Sequence, residues 1–145
     1  MKIREIMTTD VEIVRAEMPL REAARLMRDV DTGFLPVGEE DRLIGTLTDR
    51  DIVVRAIAEG RDPDTATVRD AMTDELVFCY EDQETSEAAQ LMAERQVRRL
   101  PVVDRDKRLI GIVSQGDLAT RTSDDDLVGQ TVEEISEGRG RTGPA

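Results

Sequence analysis

Leu20, Ala23, Ala24 and Met27 follow the i, i+3, i+4, i+7 spacing of one helical face, which runs on to Val30 or Asp31. Pro19 precedes them. A proline is tolerated in a first helical turn, where its missing N–H has no intrahelical partner to lose. Two short apolar runs come next, Phe34–Val37 and Leu43–Thr48, separated by Gly38-Glu39-Glu40-Asp41. An apolar run, a tight polar turn and a second run predict a hairpin. A further helix is expected from Asp49 or Arg50 onward, carrying Ile52, Val53, Ala56 and Ile57. Its β-branched residues are modest helix formers, so packing must supply the preference. Upstream, Ile3–Met7 predicts a short helix and Val11–Val14 a strand.

The whole pattern then recurs. IREIMTTDVEIV is echoed by VRDAMTDELVFC, PLREAARLM by ETSEAAQLM, FLPV by RLPV, and RLIGTLTDRDI by RLIGIVSQGDL. Met7 matches Met72 at an offset of 65 and Gly45 matches Gly111 at 66, so Lys107 or a neighbour is a one-residue insertion. The expected organisation is a first repeat over 1–60, a linker over 61–67, a second repeat over 68–122 and a tail over 123–145. Gly60–Thr67 is polar and broken by Gly and Pro, and Thr67 with Asp70 reads as a capping box opening the second repeat. The second helix repeats as Thr85, Ala88, Ala89 and Met92, and matched alanines predict close helix packing. The second hairpin is Leu100–Val103, the turn Asp104–Lys107, and Leu109–Ser114. In the tail, Ser123 and Thr131 are candidate helix caps. Each repeat is about 55 residues, a size that buries only about 60% of its unfolded surface, so the two are expected to share one core.

Composition narrows the partners. With 39% hydrophobic residues the chain is globular, and no apolar run approaches the length of a membrane span. The formal net charge of −12 opposes nucleic acid and anionic lipid. Phe34, Phe78 and Tyr80 are the only aromatics, too few for a base-stacking platform. Eighteen of the twenty basic residues are arginine, and an acid-rich, lysine-poor chain suits either a saline cytoplasm or a GC-rich genome. The single cysteine, Cys79, rules out an internal disulfide and fits a cytoplasmic protein. Histidine is absent, which excludes a histidine relay, and no Walker A or G-x-G-x-x-G motif occurs. Cys79 lies in an apolar run and reads as packed rather than reactive. The chain is therefore expected not to be an enzyme.

The chemistry concentrates where each hairpin ends. Gly45-Thr-Leu-Thr48-Asp-Arg-Asp51 and Gly111-Ile-Val-Ser114-Gln-Gly-Asp117 both run from strand through a hydroxyl residue into a helix. Backbone N–H groups at such a helix start attract anions. Thr48 and Ser114 sit where a hydroxyl can cap the helix or meet a phosphate oxygen. Asp51 and Asp117 come three residues later. A carboxylate repels phosphate, so its natural ligand there is a neutral vicinal diol. A purely structural cap with an acidic first turn, worth about 0.5–2 kcal/mol, explains the same residues. Cations for a phosphate are at Arg50 in the first repeat and at Arg98 and Arg99 in the second, whose counterparts are Gly116, Gly33 and Phe34. The competing role for these arginines is surface ion pairing, worth about 0–1 kcal/mol each.

Taken together, the Met-Thr segment, the EAA-x-LM helix, the LPV strand and the closing G-h-h-[ST]-x-x-D turn resemble the CBS domain family, twice over, across about residues 3–120. The chain is similar to a stand-alone CBS pair, or Bateman module. That resemblance implies an α+β fold of two β-α-β-β-α repeats related by a pseudo-twofold, pairing of two chains as a flat disc-like homodimer, and a cleft between the repeats for an adenosine nucleotide or an S-adenosylmethionine-like ligand. It assigns the hydroxyls of Thr48 and Ser114 to phosphate and Asp51 and Asp117 to ribose. It places adenine among Val11, Phe34, Leu35 and Pro36 in one repeat and Val77, Arg99, Leu100 and Pro101 in the other, although most of these also suit a core. The expected function is a cytoplasmic regulatory sensor with no obligatory cofactor and no metal, acting on a regulated protein partner. The alternative is a dimerising adaptor that binds no ligand.

Overall fold

The computed structural model describes residues 1–121, so the tail and its expected caps at Ser123 and Thr131 lie outside the described residues. The described chain forms two compact units, and neither coincides with a sequence repeat. One unit is Glu12–Leu76; the other joins Met1–Val11 to the residues from Val77 onward. They are called here the first and second units.

In the first unit, α1 (Leu20–Val30) starts just after Pro19, which stands as its N-cap. Its buried face is Leu20, Ala23 and Met27. Ala24 and Val30 are exposed, so the expected close packing of matched alanines applies to Ala23 and not to Ala24. Asp31 ends the helix in the left-handed region, where its φ is 55°. β1 (Phe34–Glu39) and β2 (Arg42–Thr48) pair antiparallel, with Phe34 opposite Thr48. The two turn residues Glu40 and Asp41 both have positive φ, the twist a two-residue hairpin requires. α2 (Asp49–Ile52) follows without a break and widens into a π-helical stretch, Val53–Ile57, closed by the Ala58 N–H donating to the Val53 carbonyl at 2.8 Å. The expected strand Val11–Val14 reduces to one parallel bridge, Val14 to Val37. The unit ends with α3 (Val68–Ala71), opened by the capping contact of the Thr67 N–H on Asp70 Oδ2 at 2.9 Å.

The second unit repeats this plan. β3 (Cys79–Tyr80) runs parallel to β4 (Arg99–Val103), across the helix α4 (Thr85–Arg95). β4 pairs antiparallel with β5 (Leu109–Ser114), and α5 (Gln115–Arg121) follows. The one-residue insertion falls in the longer turn between Val103 and Leu109, where Lys107 takes a positive φ of 65°. The predicted Ile3–Met7 helix is a single 3₁₀ turn, Ile3–Glu5.

What defines the units is an exchange of opening segments. In the second unit the N–H groups of Ile3 and Arg4 donate to the carbonyls of Gln83 and Glu81, both at 2.9 Å. In the first unit the N–H groups of Val68 and Arg69 donate to Met18 and Ala16, also at 2.9 Å. Each repeat's opening turn therefore packs on the other repeat's hairpin and helix. Two hydrophobic clusters result instead of one shared core. Val14, Leu20, Leu35 and Leu47 pack with Val68 and Ala71 in the first; Met92, Leu100, Val113 and Leu118 pack with Ile3 and Ile6 in the second.

Ile3 is fully buried in the second unit's core although it belongs to the first repeat. Ile3→Ala is expected to cost about 2–5 kcal/mol. Native-state hydrogen exchange should accelerate in β4 and β5 more than in β1 and β2; the opposite ranking would refute the exchange of segments.

Candidate functional site

The two closing turns are built alike. In the first unit Thr48 Oγ1 accepts from the Asp51 N–H at 3.0 Å, and the Thr48 N–H donates to Asp51 Oδ2 at 3.0 Å. In the second, Ser114 Oγ accepts from the Asp117 N–H at 3.0 Å, and the Ser114 N–H donates to Asp117 Oδ2 at 2.8 Å. These are reciprocal capping boxes. The cap leaves functional capacity over. Each hydroxyl is used as an acceptor, so its proton remains for an anion. Each carboxylate spends one oxygen, and Oδ1 holds no hydrogen bond among the described residues. Structural cap and ligand contact are thus compatible in the same four atoms.

A glycine in each closing strand makes room for a neighbour. A Cβ on Gly45 would stand 2.6 Å from the Thr73 carbonyl oxygen, and one on Gly111 would stand 2.8 Å from that of Thr8. The Met-Thr segments use that space. Thr73 exchanges two backbone hydrogen bonds with Thr46, at 2.9 and 2.8 Å, and Thr8 exchanges two with Ile112, at 2.8 and 2.9 Å. Arg55 Nη1 donates to the Met72 carbonyl at 2.8 Å, and Arg121 Nη1 to the Ile6 carbonyl at 2.8 Å, fastening the same segments from the helix side. Val11, expected beside Phe34, Leu35 and Pro36, therefore belongs to the second unit, because Thr8 before it is tied to β5.

The cations are placed differently in the two units. The Gln115 N–H donates to the Arg98 carbonyl at 2.8 Å, which binds Arg98 to the start of the Ser114 turn. Among the described residues, Arg98 Nε and Gln115 Nε2 are both buried donors with no hydrogen-bond partner. A buried orphan donor costs about 1–3 kcal/mol, so two beside one turn call for an acceptor. Arg99 faces Ser114 in the β4–β5 register. In the first unit Arg50 is exposed, and its N–H donates to Asp49 Oδ1 at 2.8 Å. Arg50, Arg98 and Arg99 form no ion pair with the described residues.

The apolar candidates divide between lining and core. Leu35 and Leu100 are 1% exposed and belong to the two cores, and Pro36 and Pro101 are buried with them. Phe34 and Val11 are partly buried, and Val77 packs at the edge of the second core. Sequence reasoning gave Asp49 and Gln115 no site role, and Gly33 only that of Arg98's counterpart. Their signal was available in the alignment of the two turns, where Gln stands opposite Asp and Arg opposite Gly.

Residues 3–57 and 68–124 match the CBS domain. The chain is 42% identical to the CBS domain-containing protein YhcV of Bacillus subtilis over 134 residues, 92% of this chain and 94% of that one. It is 43% identical over 117 residues to hypoxic response protein 1 of Mycobacterium tuberculosis, covering 80% and 81%. The crystal structure of hypoxic response protein I, with two coordinated zinc ions, superposes with a TM-score of 0.77 at 41% identity over 84% of this chain and 99% of that one. The CBS domain pair of protein MJ0100, solved with 5′-methylthioadenosine and S-adenosylmethionine, gives a TM-score of 0.72 at 25% identity over 82% and 93%. This chain has no histidine, and among the described residues no group of three metal-binding side chains occurs. Nor is any described helix long and apolar enough to cross a membrane.

Cys79 is 2% exposed, and burial pushes its thiol up to about 12. A thiol reagent at pH 8 should label native protein far more slowly than protein unfolded in urea. Equal rates would show an accessible thiolate.

Proposed function

The chain belongs to the CBS domain family, and on that premise we propose that it is a regulatory module binding an adenosine compound: AMP, ADP, ATP or an S-adenosylmethionine-like ligand. The observation that carries this reading is a pair of buried donors, Arg98 Nε and Gln115 Nε2, without a hydrogen-bond partner among the described residues, beside a capped turn with a spare hydroxyl proton and a spare carboxylate oxygen. Phosphate takes the donors and the Ser114 hydroxyl. The ribose diol takes Asp117, whose charge strengthens both hydrogen bonds. Val11 and Val77 offer apolar surface to the base. The first unit offers the equivalent capped turn of Thr48 and Asp51, with Phe34 beside it as apolar surface. Binding regulates by favouring one arrangement of the module over another, which requires unequal affinity for the two. The acidic surface supports a small-molecule or protein partner and not nucleic acid, and the role proposed is regulatory.

Self-association is part of the reading. Val53, Val54 and Ile57 are 57%, 45% and 56% exposed along one stripe of the helix after β2. A second copy covering that stripe with its own gives a homodimer about a twofold axis. This is also the observation that favours the alternative, a dimerising adaptor without a ligand.

Two measurements test these readings. Calorimetry with AMP, ADP, ATP and S-adenosylmethionine should give saturable heat for at least one of them. Asp117→Asn keeps an oxygen for the Ser114 N–H, so the fold should hold while affinity drops by about 1.5–3 kcal/mol, the worth of hydrogen bonds to a charged group. Silence toward all four leaves the adaptor. Sedimentation of Val53→Glu/Ile57→Glu should shift the dimer to monomer, and an unchanged dimer would remove the stripe as its seat.

A further inference from the structure

The two turns share a backbone and differ in charge. The first unit's turn carries Asp49 and Asp51 against Arg50, with Gly33 and Phe34 beside it. The second carries Asp117 alone, with Arg98 and Arg99 beside it. The equivalence is geometric as well as sequential. The Asp49 N–H donates to the Gly33 carbonyl at 2.9 Å just as the Gln115 N–H donates to Arg98. A Cβ on Gly33 would lie 2.6 Å from Asp49 Oδ2 and 2.9 Å from its Cγ. The Asp49 carboxylate therefore lies across the space from which the second unit sends out its guanidinium. It is held there by the Arg50 N–H on Oδ1 at 2.8 Å. The Arg50 side chain is exposed, and solvent weakens any compensation it provides.

Resting on the adenosine reading above, we propose that Asp49 is a specificity determinant: the second unit takes the phosphorylated nucleoside, and the first unit rejects phosphate and admits only a ligand without an anionic group at that position. A fixed carboxylate beside an incoming phosphate is a like-charge contact, which discriminates by repulsion instead of by a missing attraction. Arg98 and Gln115 supply the attractive half in the other unit. Arg50, read from sequence as the first repeat's phosphate handle, has an exposed side chain and holds Asp49 through its backbone N–H.

Titration calorimetry of the full chain with AMP and with adenosine separates the possibilities. Wild type should bind AMP with a stoichiometry of one per chain. Asp49→Asn removes an exposed charge and keeps the polar group; it should add a second AMP equivalent or strengthen the weak one about tenfold, with adenosine changing much less. Arg98→Gln should weaken AMP about tenfold more than it weakens adenosine. Two equal AMP sites in wild type, or an Asp49→Asn titration identical to wild type, would overturn the proposal while leaving the adenosine reading in place. No heat from either compound would overturn both.

Discussion

Each unit is held by a Met-Thr segment lying against a strand glycine. The paired backbone bonds at Thr8–Ile112 and Thr73–Thr46 form only because Gly111 and Gly45 lack a side chain where a carbonyl passes. The rest follows from that close approach. It draws Ile3 and Ile6 under β5 and Val68 and Ala71 under β2, filling cores that a single repeat of about 55 residues leaves short of apolar surface. It also places Arg121 and Arg55 within reach of the carbonyls that end each opening turn. A duplicated unit that exchanges an equivalent segment with its twin gains core without gaining length.

The same register positions the chemistry. Strand pairing sets Arg99 opposite Ser114 and Phe34 opposite Thr48, so the residue that begins one strand faces the hydroxyl that ends the next. The capping boxes then fix the first helical turn. Their cost to ligand binding is small, because a hydroxyl accepting one hydrogen bond still donates one, and a carboxylate accepting one retains further lone pairs. Preorganisation of this kind cuts the ordering cost of binding.

Much of this was legible before any coordinates. Helical periodicity located α1 and α4, polar turns located both hairpins, and the spacing of Thr67 to Asp70, Thr48 to Asp51 and Ser114 to Asp117 located three helix starts. Three features were not legible, each for a physical reason. The shortness of the predicted Val11–Val14 strand reflects a segment that lacks a continuous partner and keeps only the Val14 bridge. The exchange of opening turns was hidden because Ile3 and Val68 look equally apolar whichever core they enter. The exposure of Ala24 beside the burial of Ala89 was hidden because the two repeats share a helix pattern without sharing neighbours. Of the candidate ligand residues, hydrogen-bonding turns were readable as spacing, whereas orphaned donors on Arg98 and Gln115 are properties of packing.

Within one chain, the equivalent positions that agree and those that differ separate scaffold from specificity. Gly45 and Gly111, Arg55 and Arg121, and the two capping boxes agree in residue chemistry and in hydrogen bonding, because each satisfies a backbone requirement common to both units. Gly33 and Arg98, Asp49 and Gln115, and Arg50 and Gly116 differ in charge, yet all stand within one turn of those shared elements. A backbone requirement would have constrained both copies alike, and the Asp49 and Gln115 N–H groups do make the same bond. The divergence is confined to side chains that the fold leaves uncommitted. In the second unit that difference costs stability, because Arg98 and Gln115 bury donors that no described residue accepts from, as expected of positions kept for a ligand and not for the fold.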